Sequence, residues 1–125
     1  MSEFDSFFSY YAERYMASDV DAISAAYEAP LLAVREGRAI HLSNRAAVRG
    51  HLTELMAAYQ NAGAARADIA GIDVMTLGKS SAMVTVRWRV LDRNDTLVRD
   101  FHTTYHVLRR NGTWHILSYT NHDEG

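Results

Sequence analysis

The chain has no cysteine, so its six histidines are the side chains best suited to move a proton near neutral pH. His122 has a core-facing parity at the end of the final strand-like segment, and is the candidate general base. His102 and His106 invite a metal reading. On a strand they lie ~13 Å apart, and one ion with ~2.0 Å bonds cannot bridge that. His115 can approach His106 or Leu108 across a hairpin, but no carboxylate or cysteine pattern surrounds them, so no metal is expected. His41 and His51 read as surface residues. Tyr11 and Tyr105 are phenols set among apolar residues. A buried phenol must find a partner, and being neutral at pH 7 it can donate without a shifted pKa. Together they could form a two-phenol oxyanion site; each also reads as a packing residue. Arg35, in the turn Arg35-Glu36-Gly37-Arg38, either binds a ligand carboxylate or pairs with its neighbours in solvent.

The elements that must position these groups follow from spacing. Phe4, Phe7, Phe8, Tyr11, Tyr15 and Met16 recur every three or four residues, one face of a helix over 3–17. Ser18 is a suitable N-cap for a short second helix with Val20, Ile23 and Tyr27 inward, which Pro30, the only proline, ends. Leu31–Arg35 and Arg38–Leu42 form a hairpin. Ser43 or Asn44 caps a third helix bearing Val48, Leu52, Leu55, Met56 and Tyr59 on one face, closed by Asn61-Ala62-Gly63. From about residue 66 the pattern is strand. Ile69, Ile72 and Val74 fit no single alternation and imply a bulge. Ala82–Leu91 and Leu97–Arg109 flank the turn Asn94-Asp95, and Asn111-Gly112 makes a second turn. Helices followed by a meander predict an α+β fold, helices on one face of an antiparallel sheet.

Two-residue turns fix register. The first sets Trp88 opposite Phe101, Val86 opposite Thr103 and Val84 opposite Tyr105. The second sets Tyr105 opposite Ser118, Thr103 opposite Thr120 and Val107 opposite Ile116. Both put the greasier set on one side, and Ser118, Thr120 and His122 join it. Arg87, Arg89, His102, Thr104, His106, His115, Leu117 and Tyr119 take the other side. An apolar wall holding Tyr15, Tyr27, Met56, Trp88, Phe101 and a few hydroxyls (Thr103, Ser118, Thr120) is what lines a small-ligand pocket, and equally what lies under a sheet. The outer face mixes aromatics, histidine and arginine, the composition of a dimer interface.

Composition narrows the classes. The 125 residues suit one domain, taken as 1–125, with 48% hydrophobic and 22% charged residues. Thirteen basic and fifteen acidic side chains give −2, too balanced for a nucleic-acid binder. No apolar run approaches the ~20 residues that span a bilayer. The start lacks a basic signal-peptide region, so a cytoplasmic protein that does not bind membranes is the expectation. No phosphate loop, Ser-His-Asp pattern or cofactor motif is present.

The chain resembles the nuclear transport factor 2-like superfamily, which includes ketosteroid isomerase, scytalone dehydratase and SnoaL-like polyketide cyclases. The resemblance rests on Ser18-Asp19-Val20-Asp21-Ala22-Ile23 through Tyr27, Arg45-Ala46-Ala47-Val48-Arg49, the Ala82–Val90 strand and Asn111-Gly112-Thr113-Trp114-His115-Ile116. It covers nearly the whole chain, and specifies fold far better than function. It implies a cone of three N-terminal helices against a strongly curved sheet, closed around a pocket, with dimerisation through the outer sheet face. Tyr11 looks like the helix-1 oxyanion tyrosine of the isomerases, and Tyr105 stands where their second donor stands. Arg35 occupies the place of their aspartate base, and a guanidinium cannot abstract a proton. Scytalone dehydratase's aspartate beside its helix-1 tyrosine is also missing; Ala12 follows Tyr11.

Three functions follow as expectations. The first is a binding protein for a small, mostly apolar ligand, carboxylate-bearing if Arg35 reaches inside. The second is an isomerase, dehydratase or cyclase using Tyr11, Tyr105 and His122. The third is a non-catalytic dimeric module.

Overall fold

A computed structural model describes residues 3–122. In chain order it contains α1 (Glu3–Met16), α2 (Val20–Ala25), β1 (Tyr27–Arg35), β2 (Arg38–Leu42), α3 (Arg45–Asn61), β3 (Arg66–Leu77), β4 (Ser81–Leu91), β5 (Leu97–Arg110) and β6 (Thr113–His122). The six strands form one sheet in the order β2-β1-β6-β5-β4-β3. The architecture is the expected α+β one, with one change. The sheet is mixed, because β1 pairs parallel with β6. That pairing joins segments far apart in sequence, so no turn announces it.

Local chemistry accounts for most boundaries. Asn44 caps α3, its side chain accepting from the Ala47 N–H at 2.9 Å. The cap of α2 is Asp19, which accepts from the Ala22 N–H at 3.2 Å; Ser18, the expected cap, is instead in the left-handed region at φ 56°. Asp19 thus also places a carboxylate at the helix N-terminus and receives Arg14 at 3.1 Å. Pro30 does not end a helix. It lies in β1, in the irregular stretch between Tyr27 and Leu32 where the ladder to β6 shifts, and there its missing N–H does no harm. The expected bulge in β3 falls between Ile69 and Gly71.

The helices pack on one face of the sheet. Phe8, Ile23, Leu31, Leu52, Val48, Val84, Val86, Val107 and Ile116 are fully buried between the layers. Phe8 is the hub, its ring in contact with Phe7, Tyr11, Trp88 and Tyr105. Arg45, at the start of α3, donates to the carbonyls of Ser24 at 2.6 Å and Tyr27 at 2.8 Å. One guanidinium thereby ties three elements together and satisfies carbonyls at the end of α2. Among the described residues no helix is long and apolar enough to cross a membrane.

Register decides which side chains look inward. Between β4 and β5 the expected pairs hold from Val90 inward, with Val84 opposite Tyr105, Val86 opposite Thr103 and Trp88 opposite Phe101. Asn94-Asp95 is not a two-residue turn, however: the Asp92 N–H donates to the Thr96 carbonyl, Leu91 faces Leu97 instead of Val98, and a shift between Val90 and Leu91 restores the register. Between β5 and β6 the expected pairing survives only near the turn, through Val107 opposite Ile116. The next pair is His106 opposite Ser118, so Leu117 is an extra residue and every later side chain of β6 changes face. Tyr105 therefore faces Tyr119 and Thr103 faces Asn121. Ser118, Thr120 and His122 lie on the outer face, contrary to expectation, opposite His106, Thr104 and His102.

Candidate functional site

The residues that turn inward line a partly open cavity of about 60 Å³ between α1, α3 and the sheet. Its wall holds Tyr11, Tyr15, Tyr27, Tyr59, Tyr105 and Tyr119, so six of the seven tyrosines of the chain surround one space. The seventh, Tyr10, is 60% exposed. Trp88, Phe101, Leu55 and Val90 supply apolar area, and Thr103, Asn121 and Arg35 supply polarity. No carboxylate and no histidine belongs to this lining among the described residues.

Alternation along each strand sets these positions. In β1 Tyr27, Leu31 and Ala33 are buried, and the same parity delivers Arg35 to the cavity. In β5 Phe101, Thr103 and Tyr105 do likewise. On α1, Tyr11 and Tyr15 are one turn apart and stack at 5.6 Å.

The phenols are held by specific partners. The Tyr11 and Tyr27 hydroxyls lie 2.7 Å apart. The Trp88 indole N–H donates to the Tyr105 oxygen at 3.0 Å, which leaves the Tyr105 hydrogen able to donate in turn. Thr103 donates to Asn121 Oδ1 at 2.8 Å. Arg99 donates to the Tyr59 hydroxyl at 3.1 Å and covers the Phe101 ring at 4.1 Å, clamping two wall residues. Burial pushes the phenols of Tyr11, Tyr15, Tyr27 and Tyr105 well up from their ordinary range, so all four are neutral donors or acceptors at pH 7. For Tyr105 the Trp88 N–H opposes part of that rise.

Tyr119 differs from the others. Burial raises its pKa, while the Arg35 guanidinium pulls it back. Its hydroxyl lies 2.6 Å from His51 Nε2 on α3. His51 is half-buried rather than a free surface group, and its pKa is lowered by burial first and by Arg35 second, with Glu54 opposing.

Tyr11, Tyr15, Tyr27, Arg35, Trp88, Phe101, Thr103 and Tyr105 are thus brought together around one space. Met56 is not among the lining; it is buried in the core, and Leu55 and Tyr59 line the cavity from α3. Ser118, Thr120 and His122 are on the other side of the sheet. His122 stacks on His102 at 5.5 Å and its Nε2 lies 2.9 Å from the Thr104 hydroxyl, so it is remote from the cavity as a base. Tyr119, Asn121, Tyr59 and His51 were not expected at the site. No group of three or more histidine or acidic side chains that could hold a metal occurs among the described residues.

This cavity sits in a fold with many relatives. Residues 2–124 match the family described as NTF2-like protein (DUF6841), and the chain belongs to that family. Among solved structures, it is similar to an NTF2-like protein with a cystatin-like fold from Novosphingobium aromaticivorans. The identity is 16%, over 95% of this chain and 78% of that one, with a TM-score of 0.74. It is also similar to Aln2 from a Streptomyces species, 15% identical over 97% of this chain and 88% of that one, TM-score 0.75. A protein of unknown function from Mycobacterium tuberculosis is 12% identical over 97% of this chain and 69% of that one, TM-score 0.76. Likeness at these identities establishes the fold. No curated protein matches the chain.

Proposed function

We propose that this protein binds a compact organic acid, with the carboxylate on Arg35 and the apolar part among Tyr11, Tyr15, Trp88 and Phe101. The observation that supports this reading is Arg35 in a cavity wall that contains no carboxylate among the described residues. A guanidinium in such a place lacks an internal counter-charge, and a ligand carboxylate supplies one in bidentate geometry. The size follows from the volume. A cavity of about 150 Å³ accepts benzene, so about 60 Å³ favours an acid with a short side chain.

Binding is preferred over isomerisation because no carboxylate or histidine belongs to the described lining, leaving no base in direct contact with a ligand. Thermal denaturation with acetate, propionate, isobutyrate and benzoate tests the reading. The shorter acids should raise the melting temperature, their amides should not, and Arg35→Ala should lose the effect. If none of the acids stabilises the wild-type protein, the reading fails. Two copies pairing through the outer sheet face, around His102, Thr104 and Leu117, is the partner arrangement that the composition of this face favours.

A further inference from the structure

His51 and Tyr119 form a polar pair that the binding of an acid does not by itself require. Tyr119 reaches from β6 into the cavity wall, and His51 approaches its hydroxyl from α3 at 2.6 Å. The ring of His51 also lies against the Tyr119 ring, at 6.1 Å between centroids. Tyr119 is 4% exposed, whereas His51 is partly open to solvent. The pair therefore connects the cavity to the outside through one hydrogen bond. Arg35 is close enough to bear on both members.

We propose that the cavity takes up an anion and a proton together: a small carboxylate binds Arg35 while His51 acquires a proton from solvent, which turns the Tyr119 hydroxyl toward the ligand. This inference rests on the reading of the site as an acid-binding cavity. Without ligand, burial first and Arg35 second disfavour a positive charge at His51, and Glu54 on the same helix opposes them. Asp21 on α2 is engaged by Arg49 of α3 at 2.8 Å. A carboxylate on Arg35 cancels the repulsion. The hydrogen bonds then close consistently. Neutral His51 can accept the Tyr119 hydrogen at Nε2. The imidazolium carries hydrogen on both nitrogens, so Nε2–H donates to the Tyr119 oxygen. The Tyr119 hydrogen must then rotate away, and the ligand oxygen is its acceptor. The only covalent change is the N–H bond formed at His51, its proton released by a buffer acid in solution whose own bond to hydrogen breaks.

Linkage gives the sign. The protonated form of His51 is favoured in the complex, so affinity rises as pH falls, by at most about tenfold per pH unit between the free and bound midpoints. Calorimetry of propionate binding, repeated at about pH 7 in buffers of different ionisation enthalpy, reads the protons directly. The wild-type protein should take up a fraction of a proton per ligand. His51→Gln should still bind but take up none. Should that variant not fold, the His51 ring resonances of the wild-type protein give the same answer, with a midpoint that moves up when propionate is added. Binding without proton uptake from about pH 6 to about pH 8, or uptake that persists in His51→Gln, overturns the coupling and leaves the acid-binding reading intact. Absence of any binding by propionate, acetate and isobutyrate removes both.

Discussion

The hydroxyls of Tyr11 on α1 and Tyr27 on β1 meet at 2.7 Å in the buried layer between helix and sheet. One phenol is donor and the other acceptor, so each hydroxyl has a buried partner in the other. Tyr11→Phe should therefore cost about 1–3 kcal/mol, because it leaves the Tyr27 hydroxyl short of a partner. Adding Tyr27→Phe should cost less than the same change made alone. Urea denaturation of the two single variants and the double variant measures this coupling, and strict additivity would mean that the bond contributes nothing.

Phe8 is completely buried and touches four aromatic rings. Phe8→Ala should lower stability by about 3–5 kcal/mol. It should also enlarge the space beside Tyr11 and Tyr105, so at low temperature the variant should accept benzoate more readily than the wild-type protein does. A loss below about 1 kcal/mol would show that the layer collapses to fill the gap.

Burial raises the phenol pKa of Tyr11, Tyr15, Tyr27, Tyr105 and Tyr119. Unfolded tyrosines ionise near pH 10, so these five stabilise the fold fully below that value and lose their contribution as pH rises above it. Alkaline titration should show the tyrosinate absorbance of these five appearing in one cooperative step together with loss of near-ultraviolet circular dichroism, apart from that of the exposed Tyr10. A gradual rise that accounts for all seven tyrosines with the fold intact would contradict the burial of the cluster.

The outer face of β5 and β6 carries His102 stacked on His122, with Thr104 bonded to both Thr85 and His122. If two copies meet there, sedimentation at micromolar concentration should give a dimer, and Thr104→Arg should give a monomer. His122→Ala should leave stabilisation by propionate unchanged, since a whole sheet separates it from Arg35. Loss of that stabilisation would place the site elsewhere.

Counting from Asn94-Asp95 predicts the β4–β5 pairs from Val90 inward, and with them the inward aspect of Trp88, Phe101, Thr103 and Tyr105, only because the shift between Val90 and Leu91 offsets a turn of different length. Arg35 was readable as a candidate binding group from its place in the resemblance, and the alternation of β1 from Leu31 onward carries it to the cavity wall. The β5–β6 pairing was readable only as far as Ile116. One inserted residue, Leu117, reverses the aspect of everything beyond it, and alternation counted from a turn has no means of registering an insertion. That single step removed Ser118, Thr120 and His122 from the cavity and admitted Tyr119 and Asn121. His51 was hidden for another reason: its partner comes from a strand remote in sequence, and helical periodicity says nothing of that.

Strand order also bears on how the chain is made. β6 is the seam of the sheet, with β1 and β2 on one flank and β5, β4 and β3 on the other. It emerges from the ribosome after all of them. Until it does, the two flanks have nothing to join them edge to edge, and Arg35 and Tyr105 belong to separate half-sheets. A nascent chain therefore holds most of the residues of the cavity well before it has a cavity, and acquires one only when its final ten described residues dock.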